Sequence, residues 1–378
     1  MSLQDLPPEL IYQITDYLSD SDRVALSHTC KQLRNQLWKP GLKLSLNTYC
    51  SSLQGLKWMM SHTTKWNDRV CMLVAESGQL DALKWARQQG CQWDEWTCSE
   101  AARGGHLAVL KWARAQRCPW NYWTCHMAIR GGNLEVLKWA RDNGCQWVEE
   151  STCSEAASAG QLEILKWLRD NDCPWDERTC CEAARNGHMK TLKWLRDNGC
   201  PWDEETCSDA AGGGQLETLK WLRENGCPWN EETCSAAAWN GHLETLKWLR
   251  DNGCPWDEDT CTDAASEGHL EVLKWAREHS CPWNEDTCSA AARDGHLEVL
   301  KWAREQGCPW NETTCSEAAG GGHLDVLKWA REHGCPWDEE TCSAAAWNGH
   351  MKVFKWATEQ GCPWIYAPPA FIPFKKCE

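Results

Sequence analysis

Phenylalanine and tyrosine are scarce in this chain of 378 residues, at 3 and 5 copies, and no apolar run approaches the ~18 residues that crossing a bilayer takes. A transmembrane helix is therefore not expected. Basic residues are in deficit as well: 39 Lys and Arg face 54 Asp and Glu, a formal net charge of -15. Such a field repels phosphate backbones and anionic lipid surfaces, so neither nucleic acid nor a membrane is expected as a partner. The opening residues carry Asp5, Glu9 and Asp16 where a signal peptide needs an apolar core. A cytoplasmic location is expected, with the nucleus also open, and there the 26 cysteines stay reduced. No segment alternates apolar and polar residues as a half-buried strand does, which leaves an all-α reading.

What is abundant is tryptophan, with 29 copies. Lys-Trp dipeptides place it at 58, 85, 112 and 139, then at 167 and onward to 356, every interval being 27 except the one of 28 before 167. The extra residue lies in Val148-Glu149-Glu150-Ser151-Thr152-Cys153, as a loop insertion. A second ladder runs from Trp66 to Trp364 with the same period, so 24 of the 29 tryptophans occupy two positions of one repeated unit. A fixed period in this range is the signature of a solenoid, whose units bury their apolar faces only against neighbours. Residues 70–367 hold eleven units, 43–69 a degenerate capping unit, and 368–378 a tail.

One unit, Thr287 to Thr313, reads as two short helices. Thr287 is placed as the N-cap of the first, and in sister units Thr97 with Glu100, Thr152 with Glu155 and Thr314 with Glu317 have capping-box spacing. The alanine run allows a neighbouring helix to approach closely, and Gly295 ends the helix. Leu297, Val299, Leu300 and Trp302 make the apolar stripe of the second helix, which Gly307 stops before Pro309 and Trp310. Both tryptophan ladders are expected in the core, each side chain burying ~150–250 Å². The unit resembles the ankyrin repeat: Thr-Cys-Ser-Ala-Ala-Ala stands where that family has Thr-Pro-Leu-His-x-Ala-Ala, and Gly-His-Leu-Glu-Val-Leu-Lys follows. It is about six residues shorter, and the missing part lies where that family builds a β-hairpin finger. The resemblance implies a helix-turn-helix stack whose first helices line a concave surface.

Before the repeats, Leu10, Ile14, Tyr17 and Leu18 share one helical face, and Pro7 and Pro8 suit a first helical turn. Residues 1–42 resemble an F-box in Leu6-Pro7-Pro8-Glu9-Leu10, in the step Ile14 to Leu18 and in the step Ser27 to Lys31. That resemblance implies docking onto the Skp-type adaptor of a cullin-RING ubiquitin ligase through Leu6, Pro7, Pro8, Leu10, Ile14 and Leu18. An alternative is a plain helical cap on the solenoid. An F-box joined to short Trp-rich repeats is similar to proteins of amoebae and their giant DNA viruses, which would imply host cytoplasm and a host-virus interaction if the source is viral.

Metal binding and catalysis are not expected. There is no C-x2-C pair, equivalent cysteines of successive units lie ~10 Å apart, and the His of Gly-His is replaced by Gln79, Asn133, Gln161 and Gln215. Those replacements can hydrogen-bond as His does, but they cannot act as a general base. Cysteines therefore read as small apolar core residues, with no cofactor and no metal. A catalytic site needs one arrangement of groups, whereas every suggestive residue here recurs along the stack.

Variation between units concentrates at the end of the first helix, which carries Arg103, Arg130, Arg185, Trp239, Arg293 and Trp347, together with Glu76, Ser158, Gly212, Ser266 and Gly320. Arg beside exposed aromatics is the composition of an interface hot spot, so the six Arg and Trp residues are expected to contact an unknown target protein. Trp239 and Trp347 could equally fill gaps left by alanine. The turns after Trp202, Trp229, Trp256 and Trp337 are acidic, either as a solvated edge or as a ridge for basic partners.

Overall fold

The computed structural model describes residues 50–62 and 69–364. The segment 1–42, with Leu6, Pro7, Pro8, Leu10, Ile14 and Leu18, lies outside the described residues, as does the tail 368–378. After the helix Leu53–His62 come eleven helix pairs, from Val70–Glu76 with Leu80–Gln88 to Glu339–Trp347 with Met351–Glu359. Every element among the described residues is helical. The chain divides into two compact units, Met1–Trp175 and Asp176–Glu378, and the same pair recurs inside each.

In the pairs that carry the threonine, the first helix begins earlier than that residue suggests. In Glu285–Arg293 the N-cap is Asn284, whose extended backbone (φ -138°) lets its side chain accept from the Asp286 N–H at 3.0 Å. Asp94, Asn121, Asp257, Asn311 and Asp338 cap their helices in the same way. Thr287 is instead the third helical residue and fully buried. The expected capping boxes are therefore displaced by three residues. At Asp203 and Asn230 a box does form, with Thr206 and Thr233 reaching back to the cap N–H. An Asp or Asn held extended outcompetes a threonine whose hydroxyl would have to leave the core.

The first helix of each pair stops at a left-handed glycine, and so does the second except where Arg117, Asp172 or Ser280 takes that position. Gly295 has φ +81°, and the His296 and Gly295 N–H groups return to the carbonyls of Ala291 and Ala292. Gly307 (φ +85°) repeats the motif through Cys308 to Ala303 and Gly307 to Arg304. Alanine-rich first helices pack on the first helices of neighbouring repeats, with Ala101, Ala102, Ala128, Ala237 and Ala264 fully buried. Second helices pack chiefly on their own partner through residues such as Leu110, Leu137, Leu246 and Leu273, each worth ~1.5–3 kcal/mol of burial. The polar residue opening the second helix ties layers together: His106 Nε2 donates to the Glu76 carbonyl at 2.9 Å, and Asn133 Nδ2 donates to Arg103 O at 2.8 Å. His and Asn are thus equivalent at that position, whereas Gln215 Nε2 donates to Gly213 O of its own repeat at 2.9 Å.

The tryptophan ladders are half-buried, and the fully buried large side chains are Leu and Ile. In Leu80–Gln88, Ala82, Leu83 and Ala86 face the core while Trp85 sits roughly 100° around the helix from them, on the flank. The two ladders pack on each other edge to face, Trp93 on Trp112 at 5.7 Å and so on to Trp337 on Trp356 at 6.1 Å. An arginine covers the second-ladder ring: the Arg196 guanidinium lies 3.6 Å from the centre of Trp202 and donates to the Cys200 carbonyl at 2.8 Å. The flank is thus a continuous Trp-Arg ladder within each unit, worth ~0.5–1.5 kcal/mol per aromatic pair and ~0.5–1 per cation–π contact.

Cysteines are buried as expected but are paired rather than merely apolar. Cys71 Sγ lies 3.0 Å from Cys91 Sγ, twenty residues on in the same repeat, and the neighbouring thiols Cys98 and Cys145 raise the pKa of Cys118 and Cys125. The second thiol of the pair reaches the carbonyl of its repeat's own N-cap, as Cys118 does to Asp94 O at 3.4 Å. Closing the repeat back on its first residue is the role these thiols fill. All the described cysteines are free thiols.

Candidate protein-binding surfaces

Within each unit the first-helix ends form a surface. Arg103 closes Glu95–Arg103 and is held by two carboxylates, Glu76 Oε1 and Glu100 Oε2, each at 2.6 Å, which raise its guanidinium pKa. Arg130 lies 3.6 Å from Glu155, and Arg185 meets Asp209 at 2.5 Å. Arg293 donates to Ser266 Oγ at 2.9 Å and pairs with Asp294 at 3.1 Å. The four arginines expected as target contacts are exposed, yet each also stitches its helix to a neighbouring residue or repeat. Burial raises the pKa of Asp209 despite the Arg185 contact.

Trp239 and Trp347 end Glu231–Trp239 and Glu339–Trp347 and leave 42% and 77% of their surface in solvent. At such exposure Trp347 fills no gap left by alanine. Acidic residues of the preceding turns occupy the first turn of the first helices, as Glu204 and Glu205, Glu231 and Glu232, and Glu339 and Glu340. There they complement the helix dipole, ~0.3–1 kcal/mol each, so the ridge has a local reason to be acidic.

A second surface escaped the sequence reading. Where other repeats begin their first helix with two acidic or polar residues, two consecutive repeats in the first unit carry Trp96, Tyr122 and Trp123. Trp96 packs 5.9 Å from Trp123, and Trp123 meets His126 edge-on at 4.7 Å. Beside them a cavity of about 190 Å³ is lined by Tyr122, Trp123, His126, Ile129, Trp147 and Glu155. His126 lies 3.6 Å from Glu155, but burial lowers its pKa more than that carboxylate raises it, so the ring is held neutral. The Trp147 Nε1–H is buried without an acceptor. The inserted residue falls at this place, and Val148, 44% exposed, stands where the other repeats have a polar cap. The visible signal was three aromatics interrupting an acidic pattern.

No three His, Cys, Asp or Glu side chains gather to hold a metal ion among the described residues. Nor is any described helix long and apolar enough to cross a membrane. The F-box-like family matches residues 3–42. No curated protein matches the chain. Among solved structures, the ankyrin repeat domain of human ASB11 is similar at 21% identity over 42% of this chain and 85% of that one, with a TM-score of 0.35. The chain thus carries an N-terminal F-box-like segment followed by a regular array of paired helices.

Proposed function

We propose that the chain is a protein-interaction scaffold whose helical repeats hold a target protein at the first-helix ends. The observation that carries this reading is the exposure of Trp239 and Trp347, two repeats along the same row from Arg185 and Arg293, on helices whose opposite side is fully packed. Large exposed aromatics sharing a row with arginines suit a protein interface, where Trp and Arg dominate binding energy. Arg103 and Arg130 end their first helices at the same position in repeats of the first unit.

A finer reading is favoured by the F-box-like match over residues 3–42. In it the N-terminal segment docks onto the Skp-type adaptor of a cullin-RING ubiquitin ligase through Leu6, Pro7, Pro8, Leu10, Ile14 and Leu18. The repeats then bring the target to the ligase, in the cytosol or nucleus. Pull-down of purified Skp-type adaptor by the intact chain tests it, with Leu6→Asp and Pro8→Asp as variants and circular dichroism as the folding control. A charge placed in an apolar interface should abolish capture while leaving helicity unchanged. Equal capture by the variants, or none by the unaltered chain, removes the ligase coupling and leaves the scaffold.

A further inference from the structure

The residues at the first-helix ends repeat with a longer period than the array itself. Arg185, Gly212 and Trp239 are followed, each 108 positions or four repeats later, by Arg293, Gly320 and Trp347. Around the tryptophans the identity is complete: Glu231 to His242 recurs letter for letter as Glu339 to His350. Both sets lie in the unit Asp176–Glu378.

The glycines show that this is more than repeated packing. A side chain at Gly213 or Gly321 would bring its Cβ to 2.0 Å or 2.1 Å from the carbonyl oxygen of Arg185 or Arg293, so those glycines are required by the stack. Gly212 and Gly320 are different. A methyl group there would make ordinary contacts, 3.5 Å and 3.6 Å to Asn240 and Ala236 at one, and 3.4 Å to Ala344 and Asn348 at the other. Packing asks for no glycine, and helix propensity disfavours one. What Gly212 and Gly320 leave is bare backbone one layer before an exposed indole. Around Gly320 this opens a groove of about 800 Å³ walled by Arg293, Glu317, Glu340 and His350. The corresponding residues at Gly212 are Arg185, Asp209, Glu232 and His242. Arg185 and Arg293 are already engaged, whereas Glu232 and Glu340 are exposed.

We infer that these are two copies of one docking station, and that the partner is a protein presenting the same arginine- or lysine-bearing segment twice. The inference rests on the reading of the first-helix ends as a protein-binding surface. An exposed indole receives a cationic side chain through its ring face, Glu232 or Glu340 adds a negative charge two helical turns earlier on the same helix, and a glycine floor admits the peptide backbone. The chain's charge of -15 acts in the same direction.

The test uses the intact chain and a synthetic peptide with the segment Gly-Ser-Arg-Lys-Arg-Ser-Gly, offered singly or as two copies. With helices spaced ~8–10 Å, the stations lie ~32–40 Å apart along the row. A Gly/Ser linker of ~40 residues has a matching r.m.s. span of ~35 Å, whereas one of ~6 residues reaches only ~20 Å. The long tandem should bind at least ~10-fold tighter than the single peptide, and the short tandem, of equal charge, should not. Trp239→Ala or Trp347→Ala should each return the long tandem to single-peptide affinity. Gly212→Met and Gly320→Met, whose Cβ meets only ordinary contacts, should do the same. Equal affinity of long and short tandems, or no measurable binding by the long one, overturns the proposal. If either Trp substitution weakens the single peptide while tandems gain nothing, only the two-station arrangement fails. Indifference of every peptide to both substitutions counts against the first-helix-end surface itself.

Discussion

Replacing Trp248 by alanine should loosen one repeat, while the same replacement at Trp347 should leave stability almost unchanged. Trp248 is half-buried on the flank of Leu243–Asp251 and meets Trp229 edge to face at 6.0 Å. Emptying a fully buried aromatic site costs ~3–5 kcal/mol, and about half of that applies at half burial. Loss of the edge-to-face contact adds ~0.5–1.5 kcal/mol, for a total of ~2–4 kcal/mol. Trp347, 77% exposed, should change stability by no more than ~0.5 kcal/mol. A long repeat array need not unfold in one step, so a local readout is required. Hydrogen exchange supplies it through the amides of Asn252, Gly253 and Cys254, which bond to Trp248, Arg250 and Leu249 carbonyls. In Trp248→Ala these amides should exchange at least ~30-fold faster, since every ~1.4 kcal/mol is a factor of ten. Unchanged exchange there would refute the ladder as a source of stability. Unfolding of the last repeat by Trp347→Ala would refute its placement on the surface.

The corrected helix start gives a paired outcome in denaturant titration: Asn284→Ala should cost ~1 kcal/mol as a lost cap, whereas Thr260→Val, which removes a buried hydroxyl without a partner, should be neutral or stabilising. The Asp263 pKa is pushed up to about 6, first by burial and then by the nearby Asp259 charge. Its folded pKa exceeds the unfolded one, so the native state binds the proton more tightly and stability falls as pH rises from ~4 through ~6. Asp263→Asn should accordingly flatten that slope in melts between pH 4 and 7 and raise stability at pH 7. Ser280 occupies the left-handed position that most repeats give to glycine (φ +66°), so Ser280→Gly should raise the melting temperature. Burial lifts the Cys181 and Cys362 thiols to about 12, and alkylation by iodoacetamide at pH 7.5 should therefore spare them until denaturant is added. A chelator should not shift the melting curve.

The helix pairs and their order could be read directly because each position is sampled many times along the chain. A left-handed glycine after most helices and the Leu-Glu-Val-Leu-Lys stripe leave little choice of local structure, and eleven copies average away the exceptions. Which residue caps the first helix could not be read in the same way. Asn284 and Thr287 are both good caps three residues apart, and the choice falls to the chain's entry into the core, which buries the threonine.

Pairwise contacts between distant positions were decided by tertiary structure alone. Nothing in the spacing of Cys71 and Cys91 says that their sulfurs meet, because the return of the second helix onto the first sets that distance. The depth of the tryptophans is of the same kind: periodicity puts Trp85 on a helix, but the neighbouring alanines let first helices close up and leave the indoles on the flank. The aromatic pocket at Trp123 and the engagement of Arg103 and Arg185 likewise depend on residues about a repeat apart being brought together. A repeated sequence determines its unit through local propensities that act within a few residues, whereas its surface emerges only from the stacking of one unit on the next.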